Sequence, residues 1–283
     1  SHHRQPPIPM NTGLSEESEE RSPRGGSTLA IASLAAMATY LDSSVLFVAF
    51  PDITDSFTEA TTSMLSWVLN AYTITFAALL IPAGKLADRV GPKRALLVGA
   101  LIFTAASMAC GLSPSIEILI FARIIQGLGA AVLVPSSLAL VLAAYPREKL
   151  PQVVAIWGAM GAFSAALGPS VGGVIVNGLG WRWIFFMNLP IGVVTLILGP
   201  KYLRESRNAD VRIPSLTGVA LVAVAAGAIS FAIVNSDAAG WASATTLTIA
   251  LIGIAILMLF VAHQKRTAAP TLDLDLFALT NFR

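Results

Sequence analysis

The chain has 283 residues, 55% of them hydrophobic and only 12% charged, with a mean hydropathy of +0.74. Soluble domains carry roughly 25% charged residues, so this composition excludes an ordinary water-soluble globule and indicates a polytopic membrane protein. The net charge of +2 does not imply nucleic acid, since the basic residues sit between apolar runs, and one cysteine with three histidines excludes a disulfide framework or metal cluster.

Residues 1–28 are polar and contain no apolar signal-peptide core, so they read as a disordered cytoplasmic tail. Eight apolar segments follow, at about 29–50, 64–83, 95–112, 116–142, 152–176, 183–200, 215–235 and 244–262. Each is long enough, or nearly so, to cross about 30 Å of hydrocarbon as a helix. The first six form a bundle over 29–203, and 204–263 supplies a basic linker and two further spans. The last stretch, 264–283, reads as a cytoplasmic segment approaching another span, so the sequence looks like the first part of something longer.

Orientation follows from the basic residues. Sixteen of the eighteen Lys and Arg fall on the side of the two termini, whereas the opposite loops carry only Arg182 and the last, Arg123, lies inside a span. That asymmetry predicts both termini in the cytoplasm. Trp67, Trp181, Trp183 and Trp241 fall at the outer span ends, where an interfacial aromatic belt is expected. The outer loop after the first span carries Asp52, Asp55 and Glu59.

In the first span, Asp42 lies eight residues before Phe50; in the fourth, Arg123 lies seven after Ile116. Span edges aside, they are the two charges inside the spans. Both sit roughly 11–12 Å below the outer ends. An intramembrane charge costs about 2.5–3.5 kcal/mol at a helix centre and must face a partner or a water-filled cavity. The pair reads as a titratable carboxylate beside a cation that cannot give up its proton. Gln126 follows one turn from Arg123, close enough to share its face. Gly127 and Gly129 allow close helix approach, and Asn70 and Tyr72 in the second span are further polar candidates for a cavity wall.

Residues 84–94 form a charged turn between the second and third spans, with Gly84, Lys85, Asp88, Arg89, Gly91, Pro92, Lys93 and Arg94. Gly91 and Pro92 force a sharp turn, and Asp88 can pair with nearby cations or favour a helix N-terminus. In the fifth span, Gly161, Ala165, Gly168 and Gly172 make a small-residue stripe, and Pro169 is expected to bend the helix. Trp181-Arg182-Trp183 and the residues through Asn188 and Pro190 read as an aromatic-cationic anchor at the outer face.

Four of these motifs, in order, resemble those of the major facilitator superfamily, most of all its fourteen-helix drug:proton antiporter branch. They are Leu41-Asp42 through Pro51, Gly84 through Arg94, Arg123-Ile-Ile-Gln126-Gly127, and Gly168-Pro169-Ser-Val-Gly172-Gly173, followed by the Trp-Arg-Trp signature. The chain departs from the pattern at Phe47, where Asn is usual, at Pro92 for Arg, and at Ser164 for Gly. The resemblance implies a six-helix bundle of two inverted three-helix repeats, with the first and fourth helices equivalent and lining a central cavity. Spans seven and eight match an inserted pair, and a second six-helix bundle is missing.

The implied activity is proton-coupled efflux of amphiphilic or cationic compounds across the plasma (inner) membrane, driven by the proton gradient without a cofactor. Asp42 would be the proton or substrate-charge site, Arg123 and Gln126 its modulators, the glycine helix a closing element, and 84–94 a latch on the cytoplasmic gate. Partners would be a C-terminal half or a second copy of the chain. A lipid or metabolite exporter on the same scaffold is one alternative; another is a membrane interaction module inactive without a second half. The sequence has no Ser/His pair, acidic metal cluster or phosphate loop, which argues against an enzyme.

Overall fold

The computed structural model describes residues 22–206 and 215–266, and their regular elements are all helical. Within a bilayer a helix satisfies its own backbone polar groups, which makes this the expected architecture. Helix α1 is Ser22–Ser56, α2 Thr62–Val90, α3 Pro92–Gly111, α4 Ile116–Ala144 and α5 Leu150–Leu179. The sixth span divides at Met187 into α6 (Trp183–Phe186) and α7 (Asn188–Tyr202). Two more helices follow, α8 (Leu216–Ala239) and α9 (Ala244–Arg266). Among the described residues seven helical stretches are long and apolar enough to cross a membrane, and α8 adds a shorter apolar stretch, Thr217–Ile233.

Several expected boundaries move. The tail expected over 1–28 gives way to helix at Ser22, and α1 continues through Pro51 to Ser56, so Asp52 and Asp55 are helical rather than in a loop. Residues 84–94 are not a loop: α2 runs to Val90, and α3 begins at Pro92. Gly91 alone makes the turn, at φ +115°, a conformation that suits glycine. Its N–H closes α2 on the Ala87 carbonyl, while Pro92 occupies the first position of α3, where its missing donor costs nothing. The remaining parts of the expected tail, basic linker and terminal segment (1–21, 207–214 and 267–283) lie outside the described residues.

Helix α4 is the hub of the bundle and packs against α1, α2 and α3. Helix α1 also runs along α5 and α7, α3 lies on α7, α8 rests on α2, and α9 pairs with α8. The α2–α8 contact includes a stacked Trp67–Phe231 pair with centroids 5.6 Å apart. Two large apolar clusters and a smaller one, of Ala32, Val141 and Val153, fill the bundle. Of the large ones, the first contains Leu46, Ile53, Leu119, Ile184 and Phe185; the other contains Ala35, Tyr72, Leu96, Phe103 and Leu133.

Trp181 departs from the expected aromatic belt. It is buried in the first cluster and its indole N–H donates to Ser56 Oγ at 2.9 Å, whereas Trp183 and Trp241 are exposed.

Candidate functional site

Asp42 and Arg123 face each other in the bundle interior, at 2% and 1% exposure, with the Arg123 guanidinium near the rings of Tyr72 and Phe185. Arg123 Nη1 donates to Asp42 Oδ2 at 2.5 Å, tying α4 to α1. Gln126, one turn along α4, donates through Nε2 to Asp42 Oδ1 at 2.8 Å and accepts from Arg123 Nη1 at 2.7 Å. The three residues singled out in the sequence therefore form one constellation. Their contact puts the two charges at one depth, as expected, although α1 runs on to Ser56 rather than ending near Phe50.

The constellation is larger than the sequence indicated. Asn188, the first residue of α7, donates from Nδ2 to Asp42 Oδ1 at 2.7 Å and to Ser107 Oγ on α3 at 3.0 Å. Ser107 also accepts from Gln126 Nε2 at 3.2 Å and donates to the Phe185 carbonyl at 2.9 Å. Cys110 lies beside Gln126 Oε1 at 3.6 Å. The Arg123 guanidinium stacks 4.3 Å from the centroid of the Tyr72 ring, whose hydroxyl donates to the Thr39 carbonyl at 3.1 Å. Four helices thus converge on one buried carboxylate, with Tyr72 of α2 as a fifth contributor. Asn70 stays outside the cluster and donates locally to the Ser66 carbonyl.

In sequence, Asn188 belongs to the aromatic anchor expected at the outer face, whereas in the structure it is fully buried. One physical signal points inward: an amide within a long apolar run costs free energy unless it finds a partner.

The physics of such a site is finely balanced. Burying both members of an ion pair removes hydration that their attraction offsets only when further hydrogen bonds complete the set. Asp42 has three donors here. Two buried atoms of the cluster, Arg123 Nε and Asn188 Oδ1, have no hydrogen-bond partner.

Helix α5 holds the opposite face of α1. Gly161 meets the Tyr40 ring, Gly168 the Ser44 side chain and Gly172 Val45, all flanking Asp42 along α1. Ser164, not Ala165, completes this stripe, and its hydroxyl donates to the Met37 carbonyl at 2.7 Å. The absence of a side chain matters most at Gly168, where a Cβ would collide with Ser44 Oγ. Pro169 and Gly173 lie off the stripe: Pro169 is exposed, and a Cβ on Gly173 would meet no atom within 4 Å.

The charged turn is a separate place, since Asp88 lies about 24 Å from Tyr72 along α2. Gly84 packs near Pro135 of α4, while Asp88 and Arg89 are half-buried on the last turns of α2. The anion that binds the N-terminus of α3 is not Asp88 but Glu205, just beyond α7. It accepts from the backbone N–H of Lys93 at 3.1 Å and of Arg94 at 3.2 Å, and its carboxylate lies 4.0 Å from Arg94 Nε. Lys93 Nζ donates to the Pro200 carbonyl at 2.8 Å. The turn is thereby fastened to the end of the sixth span.

The sequence profile of the Major Facilitator Superfamily matches residues 32–266. The chain belongs to that superfamily. That superfamily consists of multi-pass membrane transporters and not of enzymes.

Its relatives include the multidrug resistance protein Stp of Mycobacterium tuberculosis, 39% identical over 256 residues, covering 90% of this chain and 48% of Stp. The methylenomycin A resistance protein of Streptomyces coelicolor is 37% identical, covering 90% of this chain and 53% of that protein. The tetracenomycin C resistance and export protein of Streptomyces glaucescens is 32% identical, with 88% and 46% covered. The chain spans about half the length of the curated relatives it matches. Among solved structures, the inward-open xylose transporter XylE of E. coli superimposes with a TM-score of 0.57 at 14% identity. That superposition covers 82% of this chain and 56% of XylE, and it establishes the fold alone.

Proposed function

We propose that this superfamily member is the N-terminal part of a proton-coupled exporter of amphiphilic or cationic compounds, with Asp42 as its proton-carrying group. One observation carries the reading: a carboxylate joins α1 to α4 through a buried ion pair with Arg123. Protonating Asp42 would cancel its charge, weaken its bond to Arg123 and loosen the contact between these two helices. Loading a proton and moving a helix are then one event. The names of the relatives, which are resistance and export proteins, support export as the direction of transport.

In this reading both ends of the chain face the cytoplasm, the proton gradient supplies the energy, and a second half, separate or continuous, completes the pathway. The Gly84–Arg94 segment, which turns at Gly91 and is fastened by Glu205, would stabilise the cytoplasmic side. The α5 glycine stripe would let α1 shift against a smooth surface.

The test is accumulation of a fluorescent lipophilic cation in everted membrane vesicles. The vesicles would carry the chain together with any coding sequence downstream of Arg283. The reading predicts accumulation above empty vesicles that collapses with an uncoupler. Accumulation equal to that of empty vesicles, or indifferent to the uncoupler, would contradict it.

A further inference from the structure

Asp42 has three side-chain hydrogen-bond donors, and they differ in what else they can do. Arg123 is a donor only and cannot accept from a protonated carboxyl. Gln126 has a carbonyl, but Oε1 is already held by Arg123 Nη1 at 2.7 Å and faces the Cys110 thiol at 3.6 Å, which pins its amide in one orientation. Asn188 is different. Its Nδ2 donates to Asp42 while its Oδ1, fully buried, accepts from nothing. A buried acceptor without a partner carries a penalty of about 1–3 kcal/mol, so its presence asks for an explanation.

We propose that Asn188 is the positioning residue that follows the protonation state of Asp42. Its amide donates to the ionised carboxylate and, after turning over, accepts from the protonated one. This inference rests on the proposed role of Asp42 as a proton carrier. The proton comes from water and binds one carboxylate oxygen, and the new O–H then donates to Asn188 Oδ1.

The turn leaves the tally of partners nearly even. One end of the amide is unpartnered in either orientation, so the charge on Asp42 decides which end faces it. Ser107 accommodates both orientations: its hydroxyl accepts from Nδ2 now, and after the turn it donates to Oδ1 in exchange for its present bond to the Phe185 carbonyl. Asn188 begins α7 and Ser107 lies on α3, so the change at α1 is passed to two helices that Arg123 does not touch by hydrogen bonding.

The experiment is infrared difference spectroscopy, acid minus neutral, on the purified chain in lipid nanodiscs. Asparagine would carry heavy carbon at its side-chain carbonyl. The Asp42 carboxyl band is assigned by its loss in Asp42→Asn, and the Asn188 carbonyl by its loss in Asn188→Ser. The proposal predicts that the Asn188 carbonyl moves to lower frequency as the Asp42 carboxyl band appears, and that this movement is absent in Asp42→Asn. Should Asn188→Ser fail to fold, Asn188→Gln, whose side-chain carbonyl does not carry the label, identifies the signal in its place. An Asp42 carboxyl band with no asparagine carbonyl shift overturns the role of Asn188 and leaves the proton reading standing. No Asp42 band at all overturns both.

Discussion

Arg123 on α4 meets Asp42 on α1 at 2.5 Å, and neither side chain is more than 1% exposed. Removing one member of such a pair leaves an uncompensated buried charge, at a cost of about 3–5 kcal/mol. Arg123→Met is therefore expected to lower the thermal stability of the purified protein by that order. Adding Asp42→Leu to Arg123→Met should recover part of the loss, because no charge then remains to be compensated. Melting curves of the single and double variants test this; a double variant less stable than Arg123→Met alone contradicts it.

Asp42, Arg123 and Gln126 were legible in the sequence because intramembrane charge is expensive and helical spacing puts residues 123 and 126 on one face. Asn188 and Ser107 were not, since an amide and a hydroxyl in apolar runs satisfy themselves locally more often than they join a site. Asn188 also follows exposed Trp183 and half-buried Phe186 closely in sequence, which gives the segment the look of an interfacial anchor. The helix boundaries misled for another reason. Charge at Asp52, Asp55, Lys85, Asp88 and Arg89 marks where a chain leaves hydrocarbon, but helices continue beyond that plane into water.

The α1–α5 seam predicts a contrast between two neighbouring glycines. Gly168→Ala places a methyl group against Ser44 and is expected to destabilise by about 1–3 kcal/mol, the usual cost of overpacking. Gly173→Ala, where the added methyl group meets no atom within 4 Å, is expected to stay within about 0.5 kcal/mol of the parent. Ser44→Gly should rescue Gly168→Ala in part. Size-exclusion thermal melts of the three variants read the contrast directly, and equal effects at 168 and 173 would refute this packing.

The turn at Gly91 carries two separable costs. Gly91→Ala both forces a left-handed backbone position on alanine and drives its methyl group into the Glu205 carboxyl. The backbone part is of order 1–3 kcal/mol. Glu205→Ala on its own should cost less, about 0.3–1 kcal/mol, through loss of an anion at the N-terminus of α3. The double variant is expected to relieve the collision but not the backbone strain, ending between Gly91→Ala and the parent. Full recovery in the double variant would mean that strain at Gly91 is unimportant.

The central claim is that Asp42 carries the coupled proton. Its most direct measurement uses acid-loaded everted vesicles holding a pH-sensitive dye, with a lipophilic cation added outside. The vesicles carry the chain together with any coding sequence downstream of Arg283. Substrate entering in exchange for protons should raise the internal pH with the parent protein and leave it unchanged with Asp42→Asn. A substrate-dependent rise of equal rate with Asp42→Asn would contradict the account and move the coupling proton to another group.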